Sequence, residues 1–212
     1  MSAEIDESMQ SILIGIVYHS GAGHTASQAR AVSRGVDGVP GASSMLFTSE
    51  EAQGKWEELD RCSAIIFGAP TYMGSASAQF KAFMDASSTV YSRGAWKDKV
   101  AAGFTNSASR SGDKLDTLIQ FAIFAAQHGM HWVSLGVPPG NNRSTGSERD
   151  LNRLGFFLGA GAQSNVDEGP TSAPPESDLH TAEQLGKRVA LVTMQLVRGR
   201  TGDGKAAELA RV

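Results

Sequence analysis

Apolar residues in this chain gather in two kinds of run, and the two kinds alternate. Ile12-Leu13-Ile14-Gly15-Ile16-Val17 is unbroken, rich in β-branched residues and sharply bounded. Ser63-Ala64-Ile65-Ile66-Phe67-Gly68, Lys99 to Thr105 and Trp132 to Gly136 repeat that form, and Ser43 to Phe47 is a shorter example. Bounded runs of this length predict strands covered on both faces. Between them the period changes. Ala29, Val32 and Val36 recur at helical spacing until Gly35, Gly38 and Pro40 stop the pattern. Ser49 is placed to cap a helix through Leu59, with Glu50 and Glu51 suited to its first turn. A helix from Ser75 to about Tyr91 puts Phe80, Phe83, Met84 and Ser87 on one face. Leu115, Leu118, Ile119, Ala122, Phe124 and Ala126 mark a strongly apolar helix ended by Gly129. After Ser177, the series Ala182, Leu185, Val189, Val192 and Leu196 predicts a last amphipathic helix.

Strands alternating with helices specify an α/β fold, a doubly wound parallel sheet with helices on both faces. Residues 137–177 interrupt the alternation. Pro138-Pro139-Gly140-Asn141-Asn142-Arg143 opens this excursion, Leu154 to Gly161 forms its apolar middle, and Pro174-Pro175 closes it. A loop this long inside a compact domain is functional or disordered. The expected organisation is a polar extension over 1–11, one domain over 12–198 and a frayed, glycine- and charge-rich tail over 199–212.

With 212 residues and 41% hydrophobic content, the chain has enough apolar surface for one sizeable core. A net charge of −3 argues against nucleic acid or an anionic membrane as the main partner. The single cysteine, Cys62, excludes an internal disulfide and fits a reducing compartment, so the cytoplasm is expected. Residues 1–11 lack the basic and apolar regions of a signal peptide, and no apolar run is long enough to span a bilayer.

The candidate chemistry follows the strands. Ser20-Gly21-Ala22-Gly23-His24-Thr25-Ala26 joins the first strand to the first helix through hydroxyls and glycines. A helix N-terminus there favours an anion, and the loop reads as a phosphate cradle. Two readings stand side by side. Gly21 to Ala26 satisfies the G-x-G-x-x-A fingerprint of NAD(P)-binding Rossmann proteins, for which Glu50 offers a ribose contact. Ser20 to Thr25 equally satisfies a loop that grips the phosphate of FMN. A nucleophile elbow needs glycine where Tyr18 stands, which removes Ser20 as a nucleophile. The loops 18–25, 69–75 and 105–112 all follow strands and are expected to converge on the carboxyl edge of the sheet, where such folds bind ligands. His128 and His131 form H-x-x-H, but the helix ends between them at Gly129, so no metal site is expected.

With Pro70-Thr71-Tyr72-Met73-Gly74, the helix through Asp85 and Gln127-His128-Gly129-Met130 added to the phosphate loop, the chain resembles the flavodoxin-like NAD(P)H:quinone oxidoreductases of the WrbA type. The resemblance implies a flavodoxin-like sheet of five parallel strands in the order 2-1-3-4-5. It implies FMN as cofactor, NADH or NADPH as electron donor, a quinone or similar acceptor, and a homodimer or homotetramer. Carried over by position, Ser20, Ala22, Gly23, His24 and Thr25 hold the FMN phosphate. Pro70, Thr71, Tyr72, Met73 and Gly74 embrace the ring edge and ribityl chain, and Thr105, Asn106, Ser107, Ala108 and Gly112 meet the polar edge of the ring. His128 stands beside the flavin face and Tyr91 lines the substrate pocket, the two residues expected to be catalytic. A helix-end histidine favoured by the dipole is the other account of His128. A flavodoxin-type carrier with no substrate turnover of its own is the functional alternative. The chain departs from the family pattern at Tyr72 and Met73, at Gln127 and over 154–166.

Overall fold

A computed structural model of the protein describes residues 11–202. The polar extension, apart from Ser11, and the tail beyond Gly202 lie outside the described residues. In chain order the elements are β1 (Ile12–Tyr18), α1 (His24–Asp37), β2 (Ala42–Thr48), α2 (Ser49–Ala52), α3 (Trp56–Arg61), β3 (Ala64–Tyr72), β4 (Ser75–Ala76), α4 (Ala78–Ala86), α5 (Ser88–Ser92), β5 (Val100–Ser107), α6 (Lys114–Gln127), β6 (His131–Trp132), β7 (Ala160–Gln163) and α7 (Glu176–Gly202). The parallel path β2-β1-β3-β5-β6 is the 2-1-3-4-5 order of a flavodoxin-like sheet.

The period of two along each strand divides the core into two layers. Ile12, Ile14, Ile16, Ala102 and Phe104 face α1 and α7, where Val32, Leu185 and Val189 complete an aliphatic layer. Val17, Ile65 and Phe67 face the other way, into an aromatic layer with Phe80, Phe83, Trp96, Phe121 and Phe124. Phe67 sits within 5.2–6.5 Å of four of these rings. Both faces of the central strands are therefore dry, as their unbroken apolar sequences require.

The structure corrects several element boundaries. The expected helix 49–59 is two short helices, and its cap is Thr48 rather than Ser49: the Thr48 hydroxyl and the Glu51 carboxylate form a reciprocal capping box. β3 continues through Tyr72, with Ala69 and Pro70 in register with Thr105 and Asn106 of β5 and Thr71 paired with Ala76 of β4, so the Pro-Thr-Tyr motif ends a strand rather than forming a loop. The helix expected over 75–91 is broken into β4, α4 and α5. Residues 199–202, expected in the tail, continue α7.

The largest correction concerns the fifth strand. His131–Trp132 pair with Val100–Ala101 at the start of β5, and Ala160–Gln163 return to pair with Phe104–Ser107 at its end. Between them Leu135 N–H donates to Phe157 O, and Gly136 turns the chain away with φ +67°. Asn152 then secures the excursion, donating from its side chain to Val137 O and Phe156 O. The position beside β5 is thus shared by two segments from distant parts of the sequence, which no local period reveals.

α1 and α7 cross at glycines. A Cβ on Gly35 would lie 1.9 Å from Glu183 O, and one on Gly186 would lie 2.0 Å from Val32 O. We expect Gly35→Ala and Gly186→Ala each to cost ~2 kcal/mol or more by forcing the helices apart, seen as a fall of roughly 4–8 °C in thermal midpoint. Gly199→Ala, which meets nothing within 4 Å, is the control and is expected to hold or raise the midpoint. Equal midpoints for all three would contradict the crossing.

Candidate functional site

The cleft lies where β1, β3 and β5 end. It encloses about 490 Å³ and is lined by Ser20, Ala22, His24 and Thr25 from the first loop, Pro70 to Met73 from the second, and Asn106 to Ala108 from the third. The expected convergence of three loops on one edge is present.

Each wall has a local cause. Gly23 precedes α1 in a left-handed conformation, φ +90°, and the helix start carries no side-chain cap. Ser20 Oγ instead accepts from Ala26 N–H at 3.1 Å, which leaves the Ser20 hydroxyl proton as an outward donor. In the second wall Met73 and Gly74 both have positive φ, a tight turn from β3 into β4 that leaves Met73 fully exposed at the rim. A Cβ on Gly21 would lie 2.5 Å from Tyr72 Oη, so the first and second loops touch. Below the cleft, Thr71 Oγ1 is 2.8 Å from both Thr105 Oγ1 and Thr117 Oγ1, a buried triad tying β3, β5 and α6.

A fourth wall was not anticipated from the sequence. Ser164, Asn165 and Val166, just after β7, also line the cleft. Ser164 Oγ donates to Asn106 Oδ1 at 2.9 Å and Gln163 Nε2 donates to Ala108 O at 2.8 Å. On the other side His24 Nε2 donates to Glu168 O at 2.8 Å and Ser27 Oγ to Pro170 O at 3.2 Å. The segment 163–170 therefore bridges the first and third loops. Its only signal in the sequence was the length of the excursion that contains it.

Not every expected site residue reaches the cleft. The Thr105 side chain is wholly buried in the threonine triad, and Gly23 and Gly112 shape their loops rather than line the cavity. Gly74 is open, with nothing within 4 Å of its missing Cβ. His128 and Tyr91 lie elsewhere altogether. They line a separate cavity of about 340 Å³ with Met84, Asp85, Ser87 and Gln127. The reason is topological: α6 starts beside the cleft and runs back along the sheet for its 14 residues, so His128 at its end lies near the start of β5. Within one chain, His128 and Tyr91 line this second cavity and not the cleft.

His128 is nonetheless unusual. It is buried against Trp96 at 4.5 Å and Phe124 at 4.8 Å, and Tyr91 stands edge-on at 5.9 Å. Burial among these rings pushes its pKa down to about 4, so it is neutral at physiological pH. Ser87 Oγ donates its one proton to Met84 O at 2.7 Å. The 3.0 Å contact from Ser87 Oγ to His128 Nε2 must then be donated by the imidazole, leaving Nδ1 as an acceptor.

A larger cavity, about 760 Å³, lies between the 105–112 loop and Leu154 to Leu158. Its lining is mainly apolar, and its two guanidinium groups are already paired, Arg110 with Glu148 at 2.9 Å and Arg153 with Asp178 at 2.8 Å. Convergent polar groups favour the smaller cleft as the site.

That cleft fits FMN. Uncharged donors at an uncapped helix start suit a phosphomonoester, and Pro70, Tyr72, Met73 and Val166 offer flat or apolar surface to a ring. The cleft fits a dinucleotide less well: Glu50 does not line it, and its carboxylate accepts from Ser49 Oγ instead.

Comparison with known proteins agrees with this geometry. A family model described as NADPH-dependent FMN reductase matches residues 40–139. Flavodoxin FldP of Pseudomonas aeruginosa is 45% identical over 183 residues, covering 85% of this chain and 96% of that protein. A WrbA-like flavodoxin from Agrobacterium tumefaciens, known as a crystal structure, is 40% identical with a TM-score of 0.68, covering 87% of this chain and 99% of that one. The chain belongs to the WrbA-type flavodoxin-like family. An NAD(P)H dehydrogenase (quinone) of Solidesulfovibrio magneticus is 30% identical over 203 residues, covering 85% of this chain and 97% of the relative. The family is one of FMN-dependent oxidoreductases, with NAD(P)H as donor.

The state of His128 has a measurable consequence. Its folded pKa lies below the unfolded value, so the unfolded chain binds the extra proton between about pH 6.5 and 4. Stability contributed by the neutral imidazole is complete above that window and is lost as pH falls through it, by as much as ~3 kcal/mol. Denaturant titrations of wild type and His128→Gln should converge as pH falls from about 7 to about 4. Parallel pH profiles would show that His128 stays protonatable in the fold.

Proposed function

We propose that the protein is an NAD(P)H:quinone oxidoreductase that holds FMN in the carboxyl-edge cleft. The observation that supports this reading most is the meeting there of an uncapped helix N-terminus with two loops of neutral donors and one of flat apolar side chains. Ser20, Ala22, Gly23, His24 and Thr25 would hold the phosphate through hydroxyl and backbone donors, with the α1 dipole behind them. Pro70 to Gly74 would embrace the ring edge and ribityl chain. Asn106, Ser107 and Ala108 would face the polar edge, where donors stabilise negative charge that develops on reduction. Bound there, the cofactor supplies two-electron hydride chemistry, taking hydride from NADH or NADPH and delivering two electrons to a quinone. Residues 163–170 bridge the first and third loops, and the exposed Tyr72–Met73 rim would be shared in turn by a donor and an acceptor.

His128 and Tyr91 enter this reading only through a second copy. A homodimer or homotetramer that set one chain's Tyr91–His128 cavity against another's Tyr72–Met73 rim would add a neutral acceptor, His128 Nδ1, to the substrate side of the flavin. The exposed Met73, Tyr72 and Tyr91 are surface that such an assembly would cover. The cytoplasm is the proposed location, on the strength of a single, buried cysteine; among the described residues no helix is long and apolar enough to cross a membrane.

A carrier function is the second reading, and similarity to a protein named flavodoxin favours it. Purified protein is expected to turn yellow with FMN at a 1:1 ratio and then to oxidise NAD(P)H with benzoquinone, without an added reductase. FMN binding without turnover would establish the carrier instead, and failure to bind FMN would overturn both. For the assembly, Ser20→Ala is expected to weaken FMN at least several-fold, and His128→Ala to lower turnover with FMN binding intact. Mixing the two variants should restore part of the activity per mole; strictly additive activity would place both residues in one chain's site.

A further inference from the structure

Lys114, in the first turn of α6, is fully buried, although a cation at a helix start opposes the dipole. Its ammonium carries three donors and directs them at three successive carbonyls, Ser109 O at 2.5 Å, Arg110 O at 3.0 Å and Ser111 O at 3.5 Å. Because each peptide is planar and trans, carbonyls turned toward Nζ turn the following N–H groups away from it. The loop is tight enough that a Cβ on Gly112, itself at φ +53°, would lie 2.3 Å from Ser107 Oγ. Asn106, Ser107 and Ala108 of the same segment line the cleft.

Among the described residues no carboxylate bonds to Lys114. From α7, Asp178 favours its charge, and from the excursion Arg153 opposes it. Asp178 is in turn held by two hydrogen bonds from Arg153, each 2.8 Å. On the loop itself Arg110 is paired with Glu148 at 2.9 Å. A buried, incompletely neutralised cation therefore holds the loop that directly follows the cleft's third wall.

We propose that Lys114 is a positioning residue that fixes the third wall of the cleft and, as a buried cation, favours an anionic guest there, reduced FMN above oxidised FMN. This inference rests on the FMN reading. Burial pushes the lysine's pKa down to about 8, so in the FMN-free protein the charge is lost within an accessible range. An anionic guest holds the proton on. FMN binding then takes up a proton above about pH 8, and affinity falls as pH rises through that region.

The test is FMN titration of wild type, Lys114→Arg, Lys114→Gln and Lys114→Met from about pH 6 to about 10, with the flavin midpoint potential measured on each. Wild type is expected to bind evenly up to about pH 8 and then to weaken by up to tenfold per pH unit, with proton uptake seen by calorimetry in buffers of different ionisation heat. Lys114→Arg carries the same phosphate and flavin titrations but keeps its charge, and should lose this dependence while retaining affinity. The Gln and Met variants should bind weakly throughout and lose about tenfold in preference for reduced FMN, equivalent to ~30 mV for a two-electron couple. Identical pH profiles for wild type and Lys114→Arg, or wild-type affinity and potential in the Gln variant, would overturn the proposal. If the Met variant does not fold, the wild-type and Arg comparison decides alone. Wild type that binds no FMN would remove the cofactor reading and this inference with it, whereas FMN binding indifferent to Lys114 would remove the inference only.

Discussion

One constraint governs this molecule: consecutive parallel strands must be joined by crossovers, so every parallel strand ends at one edge of the sheet and the helices that return between them end at the other. The end of β1 meets the start of α1, and the end of β5 meets the start of α6. Helix starts, glycine turns and hydroxyl-bearing loops therefore gather at one edge and form the cleft. The same constraint sends the far end of α6 away from it, and with it His128. A site and its supposed catalytic histidine are separated by the geometry that builds the site.

The cleft offers a negative charge polar but uncharged partners. Among the described residues its lining contains no lysine, arginine or carboxylate. Partial charges from an uncapped helix start, a free serine proton and backbone N–H groups take their place, and these are fixed before a ligand arrives. Full charges lie one layer back. Lys114 sits under the third wall, and the Arg153–Asp178 pair, with side chains almost wholly inaccessible, locks the excursion to α7 where Gln163 N–H also meets Asp178. The excursion is thereby part of the site: it supplies β7, the fourth wall and the bonds that clamp the phosphate loop to the β5 loop.

What was legible in the sequence divides along physical lines. Local periodicity gave the central strands, α1, α6 and α7, because burial on both faces or along one stripe writes a short repeat. The order of the strands and the three loops followed from that alternation and from the resemblance. Boundaries set by side-chain hydrogen bonds were not legible, as at the Thr48–Glu51 box, which displaced the cap by one residue. Nor was the shared fifth strand, since Ala160-Gly161-Ala162-Gln163 is short, weakly apolar and paired across more than fifty residues. Thr71, expected in a loop, lies in β3, and its hydroxyl meets that of Thr105 beneath the cleft, a pairing across 34 residues that no local pattern reveals. His128 was singled out by its motif, but that α6 carries it to a cavity separate from the cleft follows from the topology and not from the local sequence.

On the proposed reading the smaller, polar cleft at the carboxyl edge, and not the larger apolar cavity beside Phe156 and Phe157, receives the cofactor. A crystal structure of the protein grown with FMN tests this most directly. The phosphate is expected within hydrogen-bond distance of Ser20 Oγ and the first N–H groups of α1, with the ring between Tyr72 and the 106–108 wall. Flavin in the Leu154–Leu158 cavity, or a phosphate away from the α1 start, would contradict it.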